Sequence, residues 1–524
     1  MKIATINEGK IVFECSYEDR HHAKKLGLTW CFKTKRWFTY SSRISYEVLK
    51  DEGFLFPSDF EDEMKSGKSF IKKDSSIGPL KTESYKHQRE LTNLVLERKQ
   101  CFFLCGVGTG KSKAVIDAFS LLYAKGKVKR CLVVTPASII INFKDEVKKH
   151  SDIQSIEILG SVEKRKKLLE SNTPIHIINY EILDKLKSNI IKNKYDMIIF
   201  DECHRLKSRT AKCSKAAYNI SKGVEYKIGL TGTLFSNNAE DVYMPYKIIS
   251  PEIFGTKFYI FKNNFLIYGG YNNYEIIGTK NEDKFQKLIA SNSLKYDLDD
   301  IVDLPKEVEI IKKFKLNIHS EKIYKTVKKE SVLLLEDGDA KVMSNALERA
   351  LRLSQICSGF TINERDNIVD LGDDKIDVLK SLLCEIKGKV IVWCRFTHSV
   401  DRVKKLCDKL NIRSMCFDGR TKDKGLYKEF NSSECEKVWI AQIQTGIGYS
   451  IPSAKYSIFF ETDYSRVNHI QAKGRNRRLS GSEKGSCIYI YLQAEKTIEE
   501  KIFEILKEKD FKSNECLKYI QGTN

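Results

Sequence analysis

No two of the 15 cysteines stand as C-x-x-C, so neither a zinc ribbon nor a disulfide framework is indicated, and reduced thiols suit a cytosol. Met1 to Glu14 hold no apolar run of ~7–15 residues behind basic ones, and no stretch of about 18 apolar residues follows. The chain is therefore expected to be neither secreted nor membrane-spanning. No short fixed period repeats, which argues against a solenoid. No cluster of acids with a partner lysine suggests a self-contained nuclease. Proline is scarce, at 8 of 524 residues, and with Lys- and Ile-rich usage this points to an AT-rich genome, bacterial, phage or viral.

What is present is an ordinary globular balance, 41% hydrophobic and 31% charged. At 524 residues the chain should form about three or four units of ~100–200 residues. Ninety Lys plus Arg against 70 Asp plus Glu leave a formal charge of +20, which favours a polyanionic partner, nucleic acid first.

Residues 1–55 read as a small basic and aromatic accessory module, α+β in character, and 56–80 as a linker rich in Ser, Gly and Pro. Over 81–250, short apolar runs such as Cys101-Phe-Phe-Leu104 and Met197-Ile-Ile-Phe200 alternate with helical patterns, the rhythm of a parallel α/β sheet. The rhythm breaks over 251–375, read as a helical insert without buried strands. It resumes over 376–495, with Val390-Ile-Val-Trp393 and Cys487-Ile-Tyr-Ile-Tyr491, and 496–524 reads as a closing helix. The predicted fold is thus two parallel-sheet α/β domains in tandem, with the helical insert between them.

After the first apolar run comes Cys105-Gly-Val-Gly-Thr-Gly-Lys-Ser112, followed by a helical pattern: strand, glycine loop, helix. Gly106, Val107, Gly108, Thr109 and Gly110 would cradle phosphates with backbone N–H groups, Lys111 would reach the β and γ phosphates, and Ser112 would ligate Mg2+. Cys105 stands where the strict pattern has glycine. The strand ending at Phe200 runs into Asp201-Glu-Cys-His204. There Asp201 would hold the Mg2+ of ATP, Glu202 would orient or deprotonate the attacking water, and His204 would report nucleotide state.

From Tyr85 to Glu500 these residues resemble helicase superfamily 2 and, within it, the Swi/Snf-like DNA translocases, in a DECH-box variant. The resemblance implies two RecA-like domains and an adenine-reading element in Tyr85-Lys-His-Gln88, with Tyr85 and Gln88 at the nucleotide. It implies a coupling motif in Thr231-Gly232-Thr233; T-G-T here, where RNA-unwinding DEAD-box proteins usually carry S-A-T, tilts the substrate toward DNA and makes RNA the lesser candidate. Thr135 and Pro136, then Asn179 and Tyr180, resemble nucleic-acid contacts of the first domain, and Thr445, Gly446 and Gly448 those of the second, where Gln444, Thr445 and Ser450 depart from the usual pattern. Gln471-Ala-Lys-Gly-Arg475-Asn-Arg-Arg478 resembles the element that places Gln471, Arg475 and Arg478 at the nucleotide, its two arginines reaching the γ-phosphate across the cleft. Leu304-Pro305 and Thr497-Ile-Glu-Glu500 resemble the family's inter-domain linker and closing helix.

The expected activity is ATP-dependent, sequence-independent movement along DNA, duplex or branched. Alternatives are a strand-separating DNA or RNA helicase and a nucleic-acid-binding subunit with a non-hydrolysing nucleotide switch. A cytoplasmic setting, in a bacterium or an infected host cell, and protein partners in replication, recombination or repair complete the expectation. In the N-terminal module, Trp30, Trp37 and Phe38 interleave with Lys33, Lys35 and Arg36, a composition suited either to nucleotide stacking or to a small core.

Overall fold

A computed structural model of the chain describes residues 4–7, 10–13, 28–31, 36–40, 43–61, 80–232, 239–269, 275–297, 301, 307–333, 341–363, 365, 367–421, 423, 425–477, 486–504 and 506–507. Two compact units divide after Ile301.

The first unit opens with β1 (Ala4–Asn7), β2 (Lys10–Phe13), β3 (Thr29–Cys31) and β4 (Arg36–Tyr40), an antiparallel sheet in the order β1-β2-β4-β3. Its core is Ile11, Leu28, Trp37, Tyr46, Leu49, Phe54 and Phe60, so Trp37 serves the core rather than a nucleotide. The helix Arg43–Asp51 packs against helices Pro251–Phe254 and Phe258–Phe265, and Lys284 pairs with Glu47 at 3.3 Å and Asp51 at 3.1 Å.

The main sheet of this unit contains β5 (Gln100–Cys105), β6 (Cys131–Thr135), β7 (Ser155–Glu157), β8 (Ile175–Asn179), β9 (Met197–Asp201) and β10 (Tyr226–Thr231). A hairpin of β11 (Leu266–Gly269) and β12 (Glu275–Thr279) follows, and then β13 (Ser293–Tyr296) completes the sheet in the order β13-β5-β10-β9-β6-β8-β7. Every pairing in it is parallel. Alternate residues of β5 face opposite ways: Phe102 and Leu104 join one core, Cys101, Phe103 and Cys105 the other. Burial on both faces explains why these strands read as unbroken apolar runs.

The second unit holds β14 (Glu307–Phe314), a hairpin of β15 (Phe360–Ile362) and β16 (Ile368–Asp370), then β17 (Val390–Cys394), β18 (Ser414–Phe417), β19 (Val438–Gln442), β20 (Tyr456–Phe459) and β21 (Cys487–Ala494). Its six-stranded sheet runs β14-β21-β20-β17-β19-β18, again parallel throughout. Cores on its two faces are built from Val390, Val392 and Cys394 and from Ile391 and Trp393. Behind β21, the buried ammonium of Lys375 bonds the buried carboxylate of Glu499, which also accepts the Ala494 N–H at 2.9 Å.

The stretch 251–375, expected to lack strands, is largely helical but supplies β13 to one sheet and β14 to the other. Both are edge strands. β13 has only four residues, and in β14 only Phe314 is buried while Val308 and Ile311 are each 40% exposed, so neither carries the apolar run of a central strand. Among the described residues, no helix is long and apolar enough to cross a membrane.

Candidate nucleotide site and nucleic-acid contacts

The parallel order sets the carboxyl ends of β5, β10, β9 and β6 side by side, where an open α/β sheet places ligand chemistry. From β5 the chain turns through Gly106 to Gly110 into the helix Lys111–Ala124. Gly108 and Gly110 have φ of +87° and +79°, a left-handed backbone suited to glycine. At Gly110 space forbids a side chain as well, since a Cβ would lie 2.1 Å from the Gln88 amide nitrogen. Lys111 folds over the loop and donates to the carbonyls of Cys105 at 2.8 Å and Gly106 at 3.0 Å, placing its charge at the centre of the turn. Ser112, the second residue of the helix, is half-buried beside it.

Cys105 does not obstruct this loop. Its side chain is wholly buried in the core beneath the sheet, with Sγ 3.7 Å from the Leu294 carbonyl, and burial pushes its thiol up to about 12. Only its carbonyl enters the loop. The missing glycine of the strict pattern is therefore a core position.

Asp201 ends β9, buried, and accepts a hydrogen bond from Thr135 Oγ1 at 2.8 Å. Burial, then the adjacent Glu202 charge, push its carboxyl up to about 6, against the pull of Thr135 and Lys111. Glu202 takes a left-handed backbone, φ +52° and ψ +49°, unusual for a residue with a side chain. His204 Nδ1 lies 3.3 Å from Glu202 Oε2 and 3.1 Å from Thr231 Oγ1, so the carboxylate and the threonine share one imidazole. Gly232 closes the circle: a Cβ there would lie 3.2 Å from the Cys105 carbonyl. Thr233 and Arg478 fall outside the described residues.

Tyr85 is exposed at the start of the helix Lys86–Arg98 and stacks on His87 at 5.9 Å and 8°. His87 in turn bonds the Thr109 carbonyl at 2.8 Å, gripping the glycine loop from outside, a role that sequence reasoning missed. Gln88 is buried, its carbonyl accepting the Tyr85 N–H at 3.1 Å while its amide nitrogen faces Gly110. Also missed was a buried network of Ser84, Lys113 and Asp117, with Lys113 Nζ 2.6 Å from Asp117 Oδ2 and 2.8 Å from Ser84 Oγ. A Lys–Asp pair four apart in an otherwise apolar helix was its readable signal.

In this unit the side chains expected at the nucleic acid are turned into the fold. The Thr135 side chain is buried against Asp201, and Pro136 is buried too. Tyr180 is buried and donates to the Asp201 carbonyl at 2.6 Å; Asn179, also buried, accepts from Arg165 at 2.7 Å and donates to Glu181 at 2.7 Å. These side chains brace the carboxylate-bearing end of the sheet instead of lining an open surface.

In the second unit, Thr445 Oγ1 donates to the Gln442 carbonyl at 3.2 Å, and the exposed Gln444 beside it tolerates bulk. Gly446 packs where a Cβ would lie 2.7 Å from Ala441 and 2.9 Å from Trp393, and Gly448 is buried. Ser450 offers its carbonyl to Asn431 at 2.9 Å, a role indifferent to its side chain. Gln471, in the helix Arg466–Lys473, and Arg475 just after it are both buried, and the Arg475 carbonyl accepts the Ile451 N–H at 2.8 Å.

Residues 58–361 match the SNF2-related domain, and 374–480 match the helicase conserved C-terminal domain. The chain belongs to the SNF2-related family. Among its relatives, an uncharacterized ATP-dependent helicase of Mycoplasma genitalium is 26% identical over 77% of this chain and 39% of its own length. The transcription regulatory protein SNF2 of Saccharomyces cerevisiae is 24% identical over 83% of this chain and 28% of its own length. The chain thus spans well under half of either relative. The Sulfolobus solfataricus SWI2/SNF2 ATPase core in complex with dsDNA is similar at a TM-score of 0.42 and 20% identity, covering 86% of this chain and 95% of that one.

Proposed function

We infer that this chain is an ATP-hydrolysing motor that moves along DNA, duplex or branched, without reading bases. The observation that carries the reading is the convergence of Lys111, Asp201, Glu202 and Gly232 at adjoining strand ends. The donor set suits the group it would hold: oxygen donors from Ser112 and Asp201 match Mg2+, and the glycine turn with Lys111 matches a triphosphate. When bound, Mg2+ would neutralise charge on the phosphate oxygens. Lys111 would hold the β and γ phosphates, and Glu202 would take a proton from a water whose oxygen attacks the γ-phosphorus as its bond to the β–γ bridging oxygen breaks. By the resemblance, Arg475 and Arg478 are the residues proposed to stabilise the developing charge. Thr231 and His204 would pass the change at the phosphate to the rest of the first unit.

The buried position of Cys105 supports hydrolysis over a nucleotide-switched binding subunit, since nothing bulky enters the loop. A charge of +20 and the T-G-T sequence favour DNA as the track. Steady-state ATPase activity measured without nucleic acid and with single-stranded, duplex and forked DNA and RNA tests this. Duplex DNA is expected to stimulate turnover strongly, and Glu202→Gln to lower it by about 10²–10⁴-fold. Stimulation by RNA or single strands alone would replace the translocase with an unwinding helicase.

A further inference from the structure

The side chains of Thr135, Asn179 and Tyr180 turn inward, and one cavity of the first unit has the chemistry to hold a nucleic acid. It holds about 380 Å³ between helices Lys212–Ile220, Glu240–Ile249 and Phe258–Phe265, and its lining includes Arg209, Lys215, Tyr218, Tyr243, Lys247 and Phe258. Three cations and three rings line it. Arg209 lies 3.5 Å over the Phe258 ring, and Lys247 stands 4.9 Å from the Tyr218 ring and 5.9 Å from that of Tyr243. Lys222 adds a fourth cation, 5.0 Å from the ring of the same Tyr218.

The acid opposing them is Glu240, 2.9 Å from Arg209. Lys247 has no carboxylate within ion-pair distance among the described residues, and its charge is held down by burial and by the neighbouring Lys257, Arg209 and Lys222. The Tyr243 hydroxyl is buried with no hydrogen-bond partner, an expensive arrangement unless something completes it. Mutually repelling cations beside an unsatisfied donor make a site that an anion would relieve, and aromatic walls lower the local dielectric and strengthen that attraction. Arg209 also stands five residues beyond His204, on the segment leaving the water-directing carboxylate.

We propose that this cavity binds a backbone phosphate of the nucleic-acid track, gripped by Lys215, Lys247 and Arg209 with the Tyr243 hydroxyl as donor. The proposal rests on the motor reading above. It is tested on the full chain by fluorescence anisotropy with a labelled duplex oligonucleotide, following log affinity against log salt for wild type, Lys215→Gln, Lys215→Gln/Lys247→Gln, and Lys125→Gln as an exposed control at the far end of the glycine-loop helix. Neutralising one phosphate contributes about 0.9 to the slope, so the double variant should lose up to about one and the single variant part of that, while the control keeps the wild-type slope. A Lys215→Gln slope equal to that of Lys125→Gln overturns the proposal and leaves the motor reading standing; because Lys215 is exposed, this arm survives even if the half-buried Lys247 variant fails to fold. Absence of affinity in the wild type overturns the motor reading itself.

Discussion

The hydroxyl of Thr135, 2.8 Å from Asp201, favours the charged form of a carboxylate that burial pushes up to about 6. Thr135→Val keeps the shape and removes the donor. Turnover at neutral pH should fall on the order of tenfold, the size of one hydrogen bond to a charged group, with affinity for duplex DNA unchanged. Parallel ATPase and DNA-binding titrations check this, and a drop in DNA affinity alone would return Thr135 to the nucleic-acid surface. The positions of Lys111, Asp201 and Glu202 were legible because their motif residues lie together in sequence. Those of Thr135 and Tyr180 were not: strand order brings β6 and β8 to the carboxylate at the end of β9, and sequence spacing carries no trace of that.

Among elements, most central strands were readable from their apolar runs, but central β10, Tyr-Lys-Ile-Gly-Leu-Thr, has none, and the edge strands β13 and β14 were not read because an edge needs apolar residues on fewer sides. The closing segment was recognised from Thr497-Ile-Glu-Glu500, but only the fold shows what fastens it: Glu499, buried against Lys375, with the Ile498 N–H donating to Tyr324 at 2.7 Å. Glu499→Ala leaves a lysine charge buried without its partner and should destabilise the second unit by about 3–5 kcal/mol. Lys375→Met/Glu499→Leu, which removes both charges, should recover most of that loss. Urea unfolding monitored by Trp393 and Trp439 fluorescence measures both, and equal instability of the single and double variants would contradict the ion-pair account.

At the scale of the whole molecule, burial lowers the pKa of His87 and His176 in the first unit and of His469 in the second, the last two furthest. Burial, reinforced by Arg130, pushes His176 down to about 4, and burial with Lys473 does the same to His469. The folded rings take a proton only near pH 4, the unfolded ones near pH 6.5, so acid is absorbed by the unfolded chain first. The stability they provide is complete above pH 6.5 and is lost as the pH falls toward 4. Each should contribute a loss of about 2 kcal/mol between pH 7 and pH 5. Calorimetry across that range should show a falling Tm, with a shallower fall in His176→Gln; an unchanged slope in that variant would refute the assignment.

The left-handed backbone at Glu202 sets two laboratory goals against each other. Glycine would sit there without strain, so Glu202→Gly should raise stability by about 1 kcal/mol while abolishing turnover. A heat-challenge selection that scores survival of the fold alone would therefore enrich dead enzymes at this codon. Any programme to harden this protein must couple its thermal screen to an assay for released phosphate.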